Sequence, residues 1–129
     1  MIKSILLGLA MASLAIVPAQ AQDAAAGQDV FKKCTACHAI GENAKNRMGP
    51  ALQGVVGRVA GTHEGFKYSG AMIEKGAAGL TWTPETLDAF LASPRDYIPG
   101  TKMNVAVKDA TERADVIAYL QTLSPPGAQ

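Results

Sequence analysis

Two cysteines three positions apart, with a histidine directly after the second, set the tightest constraint on this chain: Cys34-Thr35-Ala36-Cys37-His38. The sequence holds 2 cysteines in all, so any chemistry through sulfur has to be built here. An isolated pair in an exported protein suggests a disulfide. A thioredoxin-like redox pair needs a βαβ context, and no segment of this sequence alternates as a strand. Zinc asks for four ligands, and outside the motif only His63 is a good candidate, at a spacing unlike the usual fingers. The histidine after the second cysteine makes the motif the attachment signature of c-type haem, with two thioethers to the porphyrin and His38 on iron. The motif alone leaves these readings open.

Export is written at the other end. Lys3 precedes an apolar run from Ile5 to Val17, Pro18 breaks it, and Ala19-Gln20-Ala21 is a small-x-small cleavage site. This is the layout of a secretory signal peptide over residues 1–21, and the run is too short to span a bilayer. Cleavage would leave residues 22–129, enough for a single domain. Of the 12 Lys and Arg, Lys3 goes with the leader, which leaves as many as the 11 Asp and Glu. Balanced charge excludes a nucleic-acid binder built on bulk basicity, and equally a disordered acidic chain. With 3 Phe, 3 Tyr and 1 Trp the core is thin, and a domain this small needs a staple, a metal or a bound cofactor.

Helical signals bracket a long irregular middle. Asp23 can cap a first helix with Gly27, Val30, Phe31 and Cys34 along one face, delivering the cysteine motif at its C-terminal end. From Ala39 to Ala78 the chain is rich in glycine and polar residues and reads as loop. A loop of that length is acceptable in a compact domain when it wraps a large apolar cofactor. Thr83-Pro84-Glu85 starts a helix with Leu87, Phe90 and Leu91 on one face, ended by Ser93-Pro94. A last helix begins near Asp109, with Glu112 completing a capping box, and carries Val116, Ile117, Leu120 and Leu123 to Pro125-Pro126. The fold class is all-α with long loops.

The chain resembles class I cytochrome c, in particular the bacterial cytochrome c2 type. The resemblance rests on Cys34-Thr35-Ala36-Cys37-His38, Gly49-Pro50, Gly57-Arg58, Phe66-Lys67-Tyr68-Ser69, Trp82, Tyr97-Ile98-Pro99-Gly100-Thr101-Lys102-Met103 and Arg113-Ala114-Asp115-Val116-Ile117-Ala118-Tyr119-Leu120, which together span nearly all of residues 22–129. It implies the cytochrome c fold around one haem c, held through Cys34 and Cys37, with His38 and Met103 as iron ligands. It further implies that the Pro50 carbonyl accepts from the His38 ring, that Thr101 bonds near the buried propionate, and that Arg58, Tyr68 and Trp82 satisfy the propionates. Gly27, Phe31, Tyr119 and Leu120 match the crossing of the first and last helices. His63, in the polar loop, reads as a surface residue.

Three features depart from the family. Phe90 stands where many relatives have a tyrosine whose hydroxyl reaches the methionine sulfur. Met72 occupies a position near the haem that is commonly asparagine in mitochondrial relatives, and the stretch from Ser69 to Leu80 is a few residues longer. The resemblance implies a periplasmic, monomeric electron carrier, not an enzyme and not membrane-embedded. Its implied partners are a cytochrome bc complex and a terminal oxidase or photosynthetic reaction centre. Lys32, Lys33, Lys45, Arg95, Lys102 and Lys108 are candidates for a basic rim that steers docking. A carrier dedicated to a periplasmic dehydrogenase, or a peroxidase or gas-binding protein in which Met103 is displaced, are the alternatives. Mass spectrometry of the purified protein is expected to show a chain beginning at Gln22 with one haem on the Cys34–Cys37 peptide; an intact Lys3 segment would refute the leader.

Overall fold

The structure, a computed structural model, describes residues 22–125 together with residues 8 and 10–13. Nearly all of the expected leader, and Pro126, lie outside the described residues. The elements in chain order are α1 (Ala24–Phe31), α2 (Gly70–Ala77), α3 (Pro84–Ala92), the single turn α4 (Pro94–Tyr97) and α5 (Ala110–Thr122). Among the described residues extended pairing amounts to one isolated antiparallel bridge, Val59 with Thr81, so the class is all-α. No helix there is long and apolar enough to cross a membrane.

Caps set where the helices begin. The Asp23 carboxylate accepts from the backbone N–H groups of Ala25 and Ala26, and that of Asp109 accepts from Glu112. Side-chain caps of this kind each stabilise by about 1 kcal/mol. The return half of the box expected at Glu112 is not made, because its carboxylate accepts from Lys33 Nζ at 2.9 Å instead. The reciprocal box appears at α3, where Thr83 and Thr86 each accept from the other's backbone N–H.

The terminal helices cross closely. A Cβ on Gly27 would collide with the Asp115 carbonyl and the Tyr119 Cβ, so α1 lies backbone against backbone on α5. The Phe31 and Tyr119 rings meet beside this crossing at 5.5 Å. The Asp115 carboxylate, buried in the same place, accepts from the backbone N–H of Asp23 at 3.0 Å. This pairing aims the C-terminal end of α1, and with it the cysteine motif, toward the core.

Two helices were not expected, the single turn α4, which starts at the Pro94 read as a stop, and the longer α2. The segment read as loop up to Ala78 contains α2, capped by Ser69, whose hydroxyl accepts from the backbone N–H of Met72. Gly70 and Gly76 lower its helix propensity and hid the signal. Gly76 faces Ala60, whose carbonyl a Cβ would strike, so tertiary packing supplies what propensity does not. Gly27→Ala is expected to cost about 1–3 kcal/mol through overpacking, measured by denaturant unfolding, while Gly70→Ala, facing open space, should be neutral or slightly stabilising.

Candidate haem site

Chain order builds the site from α1 outward. The chain leaves α1 in tight turns, Cys34 N–H to the Phe31 carbonyl at 2.8 Å and His38 N–H to the Cys34 carbonyl at 2.9 Å. The following segment pairs with residues 49–52: Gly49 N–H donates to the Cys37 carbonyl at 2.8 Å and Leu52 N–H to the Ala39 carbonyl at 2.9 Å. This brings Pro50 to His38, whose Nδ1 lies 2.7 Å from the Pro50 carbonyl oxygen. A carbonyl can only accept, so Nδ1 carries the proton and Nε2 keeps its lone pair. Burial pushes the His38 pKa down, and the Pro50 bond works in the opposite sense. The ring is held as a neutral imidazole with Nε2 available to a metal.

The two thiols are not joined to each other, which removes the disulfide reading. Burial raises the Cys34 thiol above its ordinary value, Cys37 adds to the rise, and Lys33 opposes it. A dithiol redox centre needs the reverse, a depressed thiol. Among the described residues no three of His, Cys, Asp and Glu gather to hold a metal, and His63 is partly exposed and lies outside the cavity wall. Among the described residues zinc has no such cluster to bind.

All nine residues expected from the sequence line one cavity: Cys34, Cys37, His38 and Pro50 from the first part of the chain, Arg58, Tyr68 and Trp82 from the middle, and Thr101 and Met103 from the segment before α5. Arg58 and Trp82 are drawn together by their backbones, with Trp82 N–H donating to the Arg58 carbonyl at 2.9 Å. The Arg58 guanidinium donates to the carbonyls of Ala51 at 3.0 Å and Gln53 at 2.8 Å, which shapes the loop beside His38. Burial lowers its pKa, and the neighbouring Tyr68 hydroxyl acts the other way. That hydroxyl also accepts from the His63 backbone N–H at 3.1 Å.

The three methionines left after the leader all border this cavity, yet differently. Met48 is 81% exposed, Met72 is buried, and Met103 is half-buried against the core. Met72, expected in loop, belongs to α2. Phe90 is buried in the wall, its ring 5.0 Å from that of Trp82, and offers sulfur no hydroxyl. The walls that sequence reading did not assign are apolar: Leu52 and Val55 lie in a stretch without periodicity, while Leu87 and Leu91 were visible only as a helix face. An apolar cavity with two free thiols and an oriented imidazole at one part, and Arg58, Tyr68 and Ser69 at another, fits a haem, whose body is apolar and whose propionates are charged.

The Cytochrome c family model matches residues 24–124. The chain belongs to the cytochrome c family. It is similar to a cytochrome c2 of Blastochloris viridis, 44% identical over 98% of each chain, and to a cytochrome c2 of Agrobacterium tumefaciens, 50% identical over 76% of this chain and 89% of the relative. Among solved structures it is similar to cytochrome c2 from Rhodospirillum centenum, at 46% identity and a TM-score of 0.76, covering 80% of this chain and 99% of that one. Membership makes this cytochrome a haem protein of electron transport, with haem c attached covalently through its pair of cysteines.

The expected basic rim is only partly realised at the site. Lys33 and Lys102 border the cavity, whereas Lys32, Lys45, Arg95 and Lys108 do not. Lys33 is paired with Glu112 at 2.9 Å and Lys32 with Asp29 at 3.0 Å, both at exposed positions where such pairs add little stability. Lys102 Nζ donates to the Lys67 carbonyl at 3.3 Å.

Proposed function

We propose that this cytochrome is a periplasmic single-electron shuttle whose iron is held by His38 and Met103. The observation that carries the reading is the His38 ring, with one nitrogen fixed by the Pro50 carbonyl and the other kept as a lone pair inside an apolar cavity that Met103 also borders. The haem supplies the one-electron change between ferric and ferrous iron. The Pro50 bond sets the ring orientation and increases its donor strength. A Met103 thioether on the iron would favour the ferrous state and raise the potential. Arg58, Tyr68, Trp82 and Thr101 are assigned to the propionate end, where unpaired buried carboxylates would be costly.

With His38 and Met103 both holding the iron, the chain would leave no vacancy for a substrate, and an unchanged ligand set would keep reorganisation small. Those are the properties of a carrier rather than an enzyme. We assign its donor and acceptor as membrane redox complexes, a cytochrome bc complex on one side and an oxidase or reaction centre on the other. Support comes from the cytochrome c2 relatives and from Lys33 and Lys102 at the cavity mouth. Export through residues 1–21 is supported by the layout of that stretch, Lys3, the apolar run to Val17 and Ala19-Gln20-Ala21.

Met103→Ala tests the ligand. The variant should keep its haem through the thioethers, lose the weak far-red sulfur-to-iron charge-transfer band, and show a lower potential and ready binding of cyanide. Retention of the band and potential would move the ligand to Met72 or Met48, and ready cyanide binding by the unaltered protein would favour the peroxidase or gas-binding alternative. Docking is tested by rate: electron transfer to an acidic partner should fall as salt rises from 0.01 to 0.1 M, since the screening length shortens from about 30 to about 10 Å. Lys102→Glu should slow it at low salt with little change in potential, and a salt-independent rate would refute the steering role.

A further inference from the structure

The segment that carries Met103 is a strap whose backbone is fastened at its ends, with one further bond from the Lys102 side chain to the Lys67 carbonyl. Among the described residues, positions 102–106 make no backbone-to-backbone hydrogen bond. At the upstream end Ile98 N–H donates to the Pro94 carbonyl at 2.9 Å and Thr101 N–H to the Ile98 carbonyl at 3.0 Å, with the Ile98 side chain fully buried. At the downstream end the buried Val107 donates its N–H to the Leu91 carbonyl of α3 at 2.8 Å. A second hold comes from α5: Arg113 Nη1 donates to the carbonyls of Val107 at 3.0 Å and Lys108 at 2.9 Å. The same guanidinium donates through Nε to Asp88 Oδ1 of α3 at 2.8 Å.

One planar group thus ties α3, α5 and the end of the strap together. Its side chain is only 14% exposed, unlike the other two ion pairs, which sit in solvent. Lysine could keep the charge near Asp88 but could not divide three donors between a carboxylate and two carbonyls in fixed directions. The carboxylate of Asp88 orients the fork, and the fork fixes the carbonyls four and five positions beyond Met103.

We infer that Arg113, oriented by Asp88, is a positioning residue for the sixth ligand, holding the strap so that Met103 stays at the cavity and foreign ligands stay out. This rests on the reading of Met103 as the iron ligand. With that segment making no backbone bonds of its own, the freedom of the methionine is set at the anchors, and Arg113 serves the downstream one. Loosening it raises the population in which the strap opens locally while the helices remain folded.

The test is imidazole uptake by the oxidised, haem-loaded protein, followed by stopped flow. Asp88→Asn leaves the Arg113–carbonyl bonds possible and lies at an exposed position, so the fold should survive; Arg113→Lys removes the fork. Each should accelerate imidazole uptake about tenfold, equivalent to about 1.4 kcal/mol, with the far-red band still present before imidazole is added. Ile117→Val, a core change on α5 outside the cavity wall, should lower stability by about 0.5–1.5 kcal/mol and leave uptake unchanged. Unchanged uptake in Asp88→Asn and Arg113→Lys, or equal acceleration in Ile117→Val, would overturn the positioning role while leaving the ligand reading intact. A far-red band that persists in Met103→Ala would instead remove the ligand reading on which the inference stands.

Discussion

A neutral imidazole held by one nitrogen is the constraint around which this molecule is arranged. His38 is fixed by the Pro50 carbonyl and pressed by Gly49, whose position has no room for a Cβ because the ring already occupies it. Holding Pro50 there takes two backbone bonds between residues 37–39 and 49–52, and shaping the loop beyond it takes the Arg58 guanidinium on two carbonyls. Arg58 in turn is placed by its backbone pairing with Trp82, which leads directly into α3. The links span 5 positions at Arg58–Gln53 and 12 at His38–Pro50, and together they over-determine the ring orientation.

The cysteine motif was legible because its chemistry demands particular residue types at fixed spacing. Pro50, Arg58, Tyr68, Trp82, Thr101 and Met103 were named through the resemblance to the cytochrome c family, and with Cys34, Cys37 and His38 they border the same cavity. The helix starts were legible through Asp23, Thr83 and Asp109, whose short polar side chains have few other reasons to precede an apolar repeat. What stayed hidden depends on partners far along the chain. Helix α2 is built on Gly70 and Gly76, weak formers by themselves, and Gly76 is chosen for its approach to Ala60. Leu52 and Val55 become wall residues only when the loop folds back. Glu112 looked like half of a local cap, but Lys33, brought near by the helix crossing, took its carboxylate.

The distribution of lysines shows the same limit. Six basic residues had equal standing in sequence, yet only Lys33 and Lys102 reach the cavity mouth, one after α1 and the other on the segment before α5. A surface is a property of three dimensions, and hydrophobic periodicity says nothing about which charged residues share one. Arg113 is another case: its resemblance to relatives was clear, but its work on the carbonyls of Val107 and Lys108 appears only in the folded chain.

The hydrogen bond from the Asp23 backbone to the Asp115 side chain spans 92 positions and has a topological consequence. It closes nearly all of the described chain into one ring, with the haem motif, the loops and the methionine strap inside it. Closure entropy grows only logarithmically with length, by about 0.6 kcal/mol per doubling, so joining the far ends costs little more than joining near ones. Once they are joined, every remaining contact closes a shorter loop within a ring already formed. Shortening the chain at either end therefore opens the ring, and removes a support from residues that lie in its middle.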